Sequence, residues 1–175
     1  MRFKDKIAVI TAVASGIGRA SADIMANEGA LIVGIDNDKT RLDRAVAAIK
    51  AAGGRAEGRV VDALQSTQVD SAVADIARAH GRIDILVNAV GGSTIIAKPA
   101  AIVEELTLGD WQRLIQFNLD GTFNFCHAVT PIMKRQGSGK IVNISSIAGR
   151  GLSPSSSTAY AAAKGGIIAF TKKLA

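Results

Sequence analysis

Short apolar segments alternate with helical segments along the whole chain, and this alternation constrains the fold more than any other feature. The predicted strands are Ile7–Thr11, Leu31–Ile35, Arg55–Val61, Ile83–Asn88 and Lys140–Ser145, of which the first two are short apolar runs. Apolar residues recur at helical spacing in segments 15–27, 40–52, 66–80, 108–135 and 158–174. Apolar strands separated by helices are typical of a parallel sheet that is covered on both faces. The sequence therefore predicts a doubly wound α/β domain.

Length and composition set the outer limits of this prediction. The 175 residues suit a single domain, 1–175. No apolar stretch approaches the roughly 18 residues of a membrane span, so we expect no membrane partner. Cys126 is the only cysteine, which excludes an intrachain disulfide and favours a reducing, cytoplasmic location.

The net charge of +6 raises nucleic acid as a partner, but the arrangement of the charges argues against it. Basic residues are spread among acids and alanines, and aromatic residues make up only 4% of the chain. A dense basic run with interleaved aromatics, which single-stranded nucleic acid favours, is missing. His80 and His127 lie far apart in sequence with no further ligand-like cluster, so we expect no metal site.

A glycine turn follows the first predicted strand and opens a helix. Gly16 and Gly18 lie where the chain must turn sharply and let its backbone approach a ligand, and the helix start suits a pyrophosphate. Asp36 follows about twenty residues later, where a carboxylate binds the hydroxyls of an adenosine ribose. A Gly-x-Gly turn alone is common, and Asp36 also suits a helix N-cap or a turn. An acid repels a 2′-phosphate, and neither Ser15 nor Asn37 supplies a cation, so the pattern favours NAD over NADP.

Tyr160 and Lys164 are four residues apart in a helical segment, so one helix face carries both. A fixed ammonium beside a phenol favours release of the phenol proton, because opposite charges attract strongly away from bulk water. The pair then suits a general acid/base. The same spacing is also that of ordinary helix neighbours, so its meaning depends on the other motifs of the chain.

Further motifs accompany the glycine turn and the Tyr160/Lys164 pair. In chain order the set is Thr11-Ala12-Val13-Ala14-Ser15-Gly16-Ile17-Gly18, Asp62, Asn88-Ala89-Val90-Gly91, Asn118 in Phe117-Asn118-Leu119-Asp120-Gly121, Ser146 after Ile141-Val142-Asn143-Ile144-Ser145, and Tyr160-x-x-x-Lys164. Together, and over the whole chain, these motifs resemble the short-chain dehydrogenase/reductase family, in particular its 3-oxoacyl-carrier-protein-reductase-like branch. The resemblance implies a Rossmann fold with strand order 3-2-1-4-5.

The resemblance also implies an NAD(H)-dependent oxidoreductase that interconverts an alcohol and a ketone or aldehyde. Tyr160 would be the general acid/base, and Lys164 would make its phenol more acidic and hold the nicotinamide ribose. Ser146 would bind the substrate oxygen; Ser145 is its rival, but the following Ile147-Ala148-Gly149 favours Ser146. Asn118 would interrupt its helix and hold a water that links Lys164 to solvent. The implied cofactor-binding residues are Thr11, Ser15, Gly16, Ile17, Gly18, Asp36, Asp62, Ala63, Asn88, Ala89, Val90, Gly91, Tyr160 and Lys164.

Three features depart from the family pattern. Ala12 replaces the first glycine of the turn, and Ala89 and Val90 replace an asparagine and an alanine of the family's Asn-Asn-Ala-Gly element. We expect NAD binding to tolerate these changes. The chain also ends eleven residues after Lys164, where family members continue with two more strands and a substrate-covering segment, so we expect it to be a fragment.

The remaining expectations concern partners. Segment 158–174 is apolar nearly all round, which predicts a buried helix. The resemblance supports a homodimer or homotetramer built through segments 108–135 and 158–174. Segments 92–107 and 149–158 would line the pocket of a small alcohol or carbonyl substrate, and their composition suits sugars, acyl thioesters, steroids or small ketones alike. The alternative is a non-catalytic dinucleotide-binding protein or an inactive fragment.

Overall fold

The computed structural model describes residues 1–175 and confirms the alternation of strands and helices. The strands are β1 (Ile7–Thr11), β2 (Leu31–Asp36), β3 (Arg55–Val60), β4 (Ile85–Asn88) and β5 (Lys140–Asn143). The α-helices are α1 (Gly16–Asn27), α2 (Lys39–Ala51), α3 (Ser66–His80), α4 (Leu108–Ile115), α5 (Gly121–Gln136) and α6 (Thr158–Leu174). A π-helical segment, Gln116–Asp120, separates α4 from α5, and short 3-10 helices cover Val103–Glu105 and Ile147–Arg150.

The chain forms two compact units. The first comprises Met1–Ala89 and Asn124–Val142, and the second comprises Val90–Phe123 and Asn143–Ala175. The five strands form one sheet in the order β3-β2-β1-β4-β5, which confirms the predicted order. β1 pairs in parallel with β2 and β4, and β2 pairs in parallel with β3. No helix has the combination of length and apolar character that crossing a membrane requires.

The core of the first unit explains why β1 and β2 are apolar on both faces. Ile10 and Ile32 lie in one buried cluster with side chains of α1 and α2, among them Ala22, Met25, Leu42 and Ile49. Val9 and Val33 alternate with them along β1 and β2, so they point to the other face, where they are also fully buried. Burial of each such side chain stabilises the fold by about 1.5–3 kcal/mol.

The second unit has a small core of its own. Ile96, Leu114 and Ala159 are buried together, and they bring the loop before α4, the helix α4 and the start of α6 into one cluster. Near the other end of α6, the ring of Phe170 meets the ring of Phe123 edge-on at 6.3 Å between centroids. α6 is fully buried along one face, through Ala159, Ala163, Lys164 and Ile167. That the rest of its surface meets another copy of the chain stays a prediction.

Several predicted boundaries were wrong, and side-chain contacts explain two of them. β4 starts at Ile85 instead of Ile83 because the Ile83 N–H and C=O both bond to the side-chain amide of Gln136, at 2.8 and 2.9 Å. β5 ends at Asn143 instead of Ser145, and the carbonyl of Ile144 accepts a hydrogen bond from Lys164. The predicted long helix 108–135 is interrupted at Gln116–Asp120.

Asp84 is a buried carboxylate just before β4, with a side chain that is 6% exposed. It accepts hydrogen bonds from the Arg82 guanidinium and from the Ile7 N–H at 3.0 Å, and Lys6 Nζ lies at 3.5 Å. Burial by itself raises the pKa of this carboxyl, but the bonds and charges of Arg82, Ile7 and Lys6 outweigh it, so the pKa lies below its usual value. The carboxylate therefore ties the start of β1 to the start of β4.

Asp84→Asn tests this contact. We expect it to lower the free energy of unfolding by about 2 kcal/mol at pH 7, because hydrogen bonds to a charged group are lost. A carboxyl with a depressed folded pKa stabilises the fold above its unfolded pKa of about 3.9, and this contribution disappears as the pH falls through the folded pKa. Urea unfolding should therefore show a difference in the free energy of unfolding between the two proteins, and this difference should become smaller below pH 4. The matched control is Asp75→Asn, at an exposed ion pair with Arg78, which should change stability by less than about 0.5 kcal/mol; an equal effect of both substitutions would contradict the assignment.

Candidate active site

The glycine turn of the first unit has the form that a phosphate-binding backbone needs. α1 begins at Gly16, and its N-cap Ser15 makes no side-chain hydrogen bond to the first turn, which also lacks an acidic residue. The N–H groups of that turn therefore have no side-chain cap and can donate to an anion. A Cβ at Gly18 would lie 2.7 Å from the carbonyl oxygen of Thr11, so only glycine allows the helix to start this close to the end of β1. These backbone groups fit a pyrophosphate.

Ala12 occupies the position of the missing first glycine and has φ of 51°. This is the left-handed region, which costs a residue with a Cβ roughly 1–2 kcal/mol. The Ala12 carbonyl still accepts a bond from the Ser15 N–H at 3.5 Å, so the turn keeps its shape with alanine in it. The substitution strains the turn without opening it.

Asp36, at the end of β2, reaches back to the same turn. Its carboxylate accepts hydrogen bonds from the Ala14 N–H and from the Asp38 N–H, each at 3.1 Å. The cap of α2 is Asp38, whose side chain accepts from the Arg41 N–H at 3.0 Å. The N-cap alternative for Asp36 is therefore wrong, whereas the bond from the Asp38 N–H fits the alternative of a turn acid. The same carboxylate also lies beside the glycine turn.

The side chains of two other predicted cofactor-binding residues make hydrogen bonds within the protein. Thr11 Oγ1 accepts from the Ala89 N–H at 2.9 Å, which joins the ends of β1 and β4. Asn88 is 2% exposed and its amide donates to Cys126 Sγ at 3.4 Å. Both side chains therefore shape the carboxyl edge of the sheet.

The segment after β3 is held in a similar way. The Asp62 carboxylate accepts from the Leu64 N–H at 2.9 Å, and the Ala63 carbonyl accepts from the buried amide of Asn124 at the same distance. Ile17, in the first turn of α1, is 58% exposed. The contacts of Asn124 were not foreseen, because nothing in the sequence relates it to residue 63.

Asn118 lies in the middle of the π-helical segment of the second unit and is completely buried. Its amide nitrogen donates to the carbonyls of Leu114 and Gly92, both at 3.0 Å, and its amide oxygen accepts from the Gly92 N–H at 2.9 Å. The side chain thus replaces a rung of the helix ladder and fixes the loop at Gly92. The predicted helix interruption is present, with this pairing as its physical cause.

Gly91 brings two of the predicted catalytic residues together. A Cβ at this position would lie 2.7 Å from Asn118 Oδ1 and 2.8 Å from Lys164 Nζ, and the backbone has φ of 150°. Any side chain would displace one polar group or the other. Gly91, Asn118 and Lys164 therefore form one packed arrangement.

Lys164 is buried, with 3% exposure. Its ammonium donates to the Ile144 carbonyl at 3.0 Å and lies 5.8 Å from the centroid of the Tyr160 ring. Burial lowers the pKa of Lys164 to about 8. The structure thus places a cation beside the face of the phenol, on the helix side that the sequence predicted.

Tyr160 is half-buried against the apolar cluster around Ile96, and its N–H donates to Ser157 Oγ at 3.2 Å. Ser157 is the fully buried N-cap of α6, and its own N–H donates to the Pro99 carbonyl at 2.7 Å. The loop before α4 therefore holds the helix start that carries Tyr160. Ser157 is not among the predicted site residues, although a serine three residues before Tyr160 is an N-cap signal.

The two neighbouring serines have different partners. Ser146 Oγ accepts from the Ala148 N–H at 3.2 Å, which leaves its own O–H to donate elsewhere. Ser145 Oγ donates to the Lys164 carbonyl at 2.7 Å. The hydroxyl proton of Ser145 is therefore engaged in the fold, which supports Ser146 as the one that meets a ligand.

Comparison with known proteins assigns the family. The family model described as short chain dehydrogenase matches residues 6–175. The chain belongs to the short-chain dehydrogenase family. It is 40% identical over 174 residues to the short-chain reductase protein NovJ of Streptomyces niveus, matching 98% of this chain and 63% of that protein. It is 37% identical over 172 residues to the 3-oxoacyl-[acyl-carrier-protein] reductase FabG of Thermotoga maritima, matching 98% of this chain and 68% of the relative.

Solved structures agree with this assignment. NAD+-bound xylitol dehydrogenase superposes with a TM-score of 0.90 at 32% identity, over 99% of this chain and 65% of that one. A 3-oxoacyl-[acyl-carrier protein] reductase with bound NAD from Brucella melitensis superposes with a TM-score of 0.88 at 36% identity, over 98% of this chain and 65% of that one. The chain thus spans about two thirds of the length of these relatives.

The buried ammonium generates a prediction about stability. An unfolded lysine has a pKa of about 10.4, above the value of about 8 that burial gives Lys164. The charged form of Lys164 therefore destabilises the folded state. This destabilisation is complete below pH 8 and decreases as the pH rises toward 10.4. At pH 7 we expect Lys164→Met to be more stable than the wild type by up to about 3 kcal/mol. This advantage should shrink between pH 8 and 10.

Urea unfolding of both proteins at pH 7, 8.5 and 10 measures that difference. Lys172→Met, at an exposed position of the same helix, is the control and should show a constant difference from the wild type. A Lys164→Met advantage that does not change with pH would contradict the assigned cause.

Proposed function

We propose that this protein is an NAD-dependent oxidoreductase that interconverts an alcohol and a ketone or aldehyde. The observation that carries the proposal is the arrangement around the buried ammonium of Lys164. Asn118 Oδ1 and Lys164 Nζ both pack against Gly91, Lys164 lies beside the Tyr160 ring, and Ser146 keeps a donor proton. A proton-handling site needs such groups fixed before the substrate arrives.

The glycine turn and Asp36 support a nicotinamide dinucleotide as the cofactor. The uncapped first turn of α1 suits the pyrophosphate, and the Asp36 carboxylate beside it suits the two hydroxyls of an adenosine ribose. A 2′-phosphate would meet this carboxylate with like charge, so we assign NAD rather than NADP. Two related solved structures, xylitol dehydrogenase and the Brucella melitensis reductase, also bind NAD. When bound, it supplies the two-electron carrier of the reaction.

The chain's own residues manage one proton. In the oxidation direction, the O–H bond of the substrate breaks and Tyr160 Oη takes the proton, while the C–H electron pair leaves with the hydride. Ser146 donates a hydrogen bond to the substrate oxygen and fixes its position. Lys164 stabilises the phenolate form of Tyr160 by its charge, and Asn118 keeps the loop at Gly92 beside Lys164.

The expected partner proteins are further copies of this chain. Leu108 and Trp111 on α4 and Phe123 at the start of α5 are exposed by 71%, 39% and 50%, which suits a homodimer or homotetramer. The single buried Cys126 suits a reducing cytoplasm. Sedimentation of the protein at increasing concentration tests the assembly.

A non-catalytic dinucleotide-binding protein is the second candidate, because a fold alone does not establish chemistry. Such a protein needs the turn and Asp36, but it has no need of Ser146, Tyr160 and Lys164 together. Turnover therefore separates the two candidates, and cofactor binding does not.

Tyr160→Phe tests the acid/base assignment. A panel of sugars, hydroxyacyl thioesters, hydroxysteroids and small secondary alcohols is offered to the wild type with NAD, and NADH formation is followed by absorbance. We expect the best substrate to lose at least about 100-fold in kcat with Tyr160→Phe, because positioned acid/base groups contribute about 100- to 10,000-fold. NADH affinity should remain within about threefold of the wild type. Unchanged turnover in Tyr160→Phe would refute the role of this residue.

Asp36→Asn tests the choice of cofactor without need of a substrate. Removing the charge should raise the affinity for NADPH relative to NADH by roughly tenfold, because a like charge within several ångströms of the 2′-phosphate is lost. Fluorescence titration gives both dissociation constants. Asp43→Asn, an exposed acid paired with Lys39, is the matched control and should leave the ratio unchanged. Equal ratios in all three proteins would remove Asp36 from the cofactor site.

A further inference from the structure

The segment after β5 makes two hydrogen bonds to Lys164, one to its backbone and one to its side chain. Ser145 Oγ donates to the backbone carbonyl of Lys164 at 2.7 Å, and Lys164 Nζ donates to the backbone carbonyl of Ile144 at 3.0 Å. A side chain of the segment thus holds the backbone of Lys164, while the backbone of the segment holds its side chain. The two bonds arise from adjacent residues, so neither end of Lys164 can shift without straining the other bond.

The same segment returns to α6 four residues further on. A Cβ at Gly149 would lie 2.6 Å from the carbonyl carbon of Lys164 and 2.7 Å from the nitrogen of Gly165. Only a glycine therefore lets the 3-10 helix Ile147–Arg150 lie this close to the peptide that follows Lys164. We call Ile144, Ser145 and Gly149 the Lys164 clamp.

Ser146 lies between the two anchor points of this clamp. Its carbonyl accepts from the Gly149 N–H at 3.0 Å, and its hydroxyl accepts from the Ala148 N–H, so it is fixed within the segment. Its position relative to Lys164, and to Tyr160 one turn earlier on α6, is therefore set by how the segment docks on Lys164.

We propose that Ser145 is a positioning residue, whose hydrogen bond to the Lys164 carbonyl holds the Lys164 ammonium and Ser146 in register for catalysis. This inference rests on the proposed function, because it presupposes that Lys164 and Ser146 work together. Ser145 touches no substrate in this role. Its hydroxyl acts on a carbonyl that already belongs to the ladder of α6, so its loss leaves the helix intact and loosens only the docking of the segment.

The first test measures, without any substrate, how firmly the Lys164 clamp holds the ammonium. Proton exchange between the Lys164 ammonium and water is measured by nitrogen-15 NMR near pH 6, with the signal assigned by its loss in Lys164→Arg. We expect Ser145→Ala to accelerate this exchange about tenfold, because the bond to Ile144 opens more often. Ser145→Thr, which retains the hydroxyl, should restore slow exchange. Ser71→Ala, at an exposed site on α3, is the control and should match the wild type.

The second test reads catalysis with the best substrate of the alcohol panel. We expect Ser145→Ala to lower kcat about tenfold with KM within twofold, and Ser145→Thr to recover most of the loss. Gly149→Ala provides a second route to the same effect, since its Cβ pushes the segment away from Lys164. A merely structural role for Ser145 would lower the melting temperature and leave the kcat of the folded protein unchanged.

The outcomes separate the two proposals. If the wild type turns over no alcohol with NAD, the proposed function fails, and the exchange rates still decide the clamp. If the wild type is active and Ser145→Ala keeps both its kcat and slow exchange, the clamp is wrong and the proposed function stands. Fast exchange that Ser145→Thr does not correct would also overturn the clamp, because the hydroxyl would then not be its cause.

Discussion

The buried ammonium of Lys164 is the constraint on which the second unit depends. A charge removed from water must find acceptors, and an unpaired one is among the most unfavourable features a fold can contain. The Ile144 carbonyl supplies a direct acceptor, and both the ammonium and the Asn118 amide pack closely against Gly91. The low pKa of Lys164 shows that burial still outweighs these contacts. A cation held at this disadvantage stabilises a nearby negative charge more strongly than a solvated lysine would, because little water screens it.

The interrupted helix solves a second problem that the buried charge creates. A regular helix uses all its backbone groups internally, so it offers nothing to a neighbouring loop. At Asn118 the ladder opens, and the side-chain amide both bonds to Leu114 inside the helix and pairs with the two backbone groups of Gly92. π-helical turns are rare in proteins overall, but those that occur are frequently found at functional sites. The loop that carries Gly91 is thereby fixed beside Lys164 without a charged partner.

Much of the fold followed from local patterns, whereas the missing details came from contacts distant in sequence. The alternation of elements sufficed for a parallel sheet covered by helices, and the spacing of Tyr160 and Lys164 sufficed to place both on one helix side. The strand order itself came from the resemblance of the motifs to the family. The start of β4 could not be predicted, because the Gln136 side chain replaces strand partners at Ile83 from 53 positions away. The role of Ser145 was hidden for the same reason, since its partner is a backbone carbonyl that no sequence pattern marks.

The departures from the family pattern differ in their physical weight. Ala12 adopts a left-handed backbone that a glycine would adopt without strain, yet the turn still closes, so the alanine costs stability and not shape. At Gly18 and Gly91 the limit is space, because a Cβ would collide with a carbonyl in one case and with the Asn118 amide and the Lys164 ammonium in the other. Strain of the first kind can be offset by stability gained anywhere in the unit. A collision of the second kind moves the very groups that the proposed chemistry uses, which is why alanine is tolerated at residue 12 and glycine is required at 18 and 91.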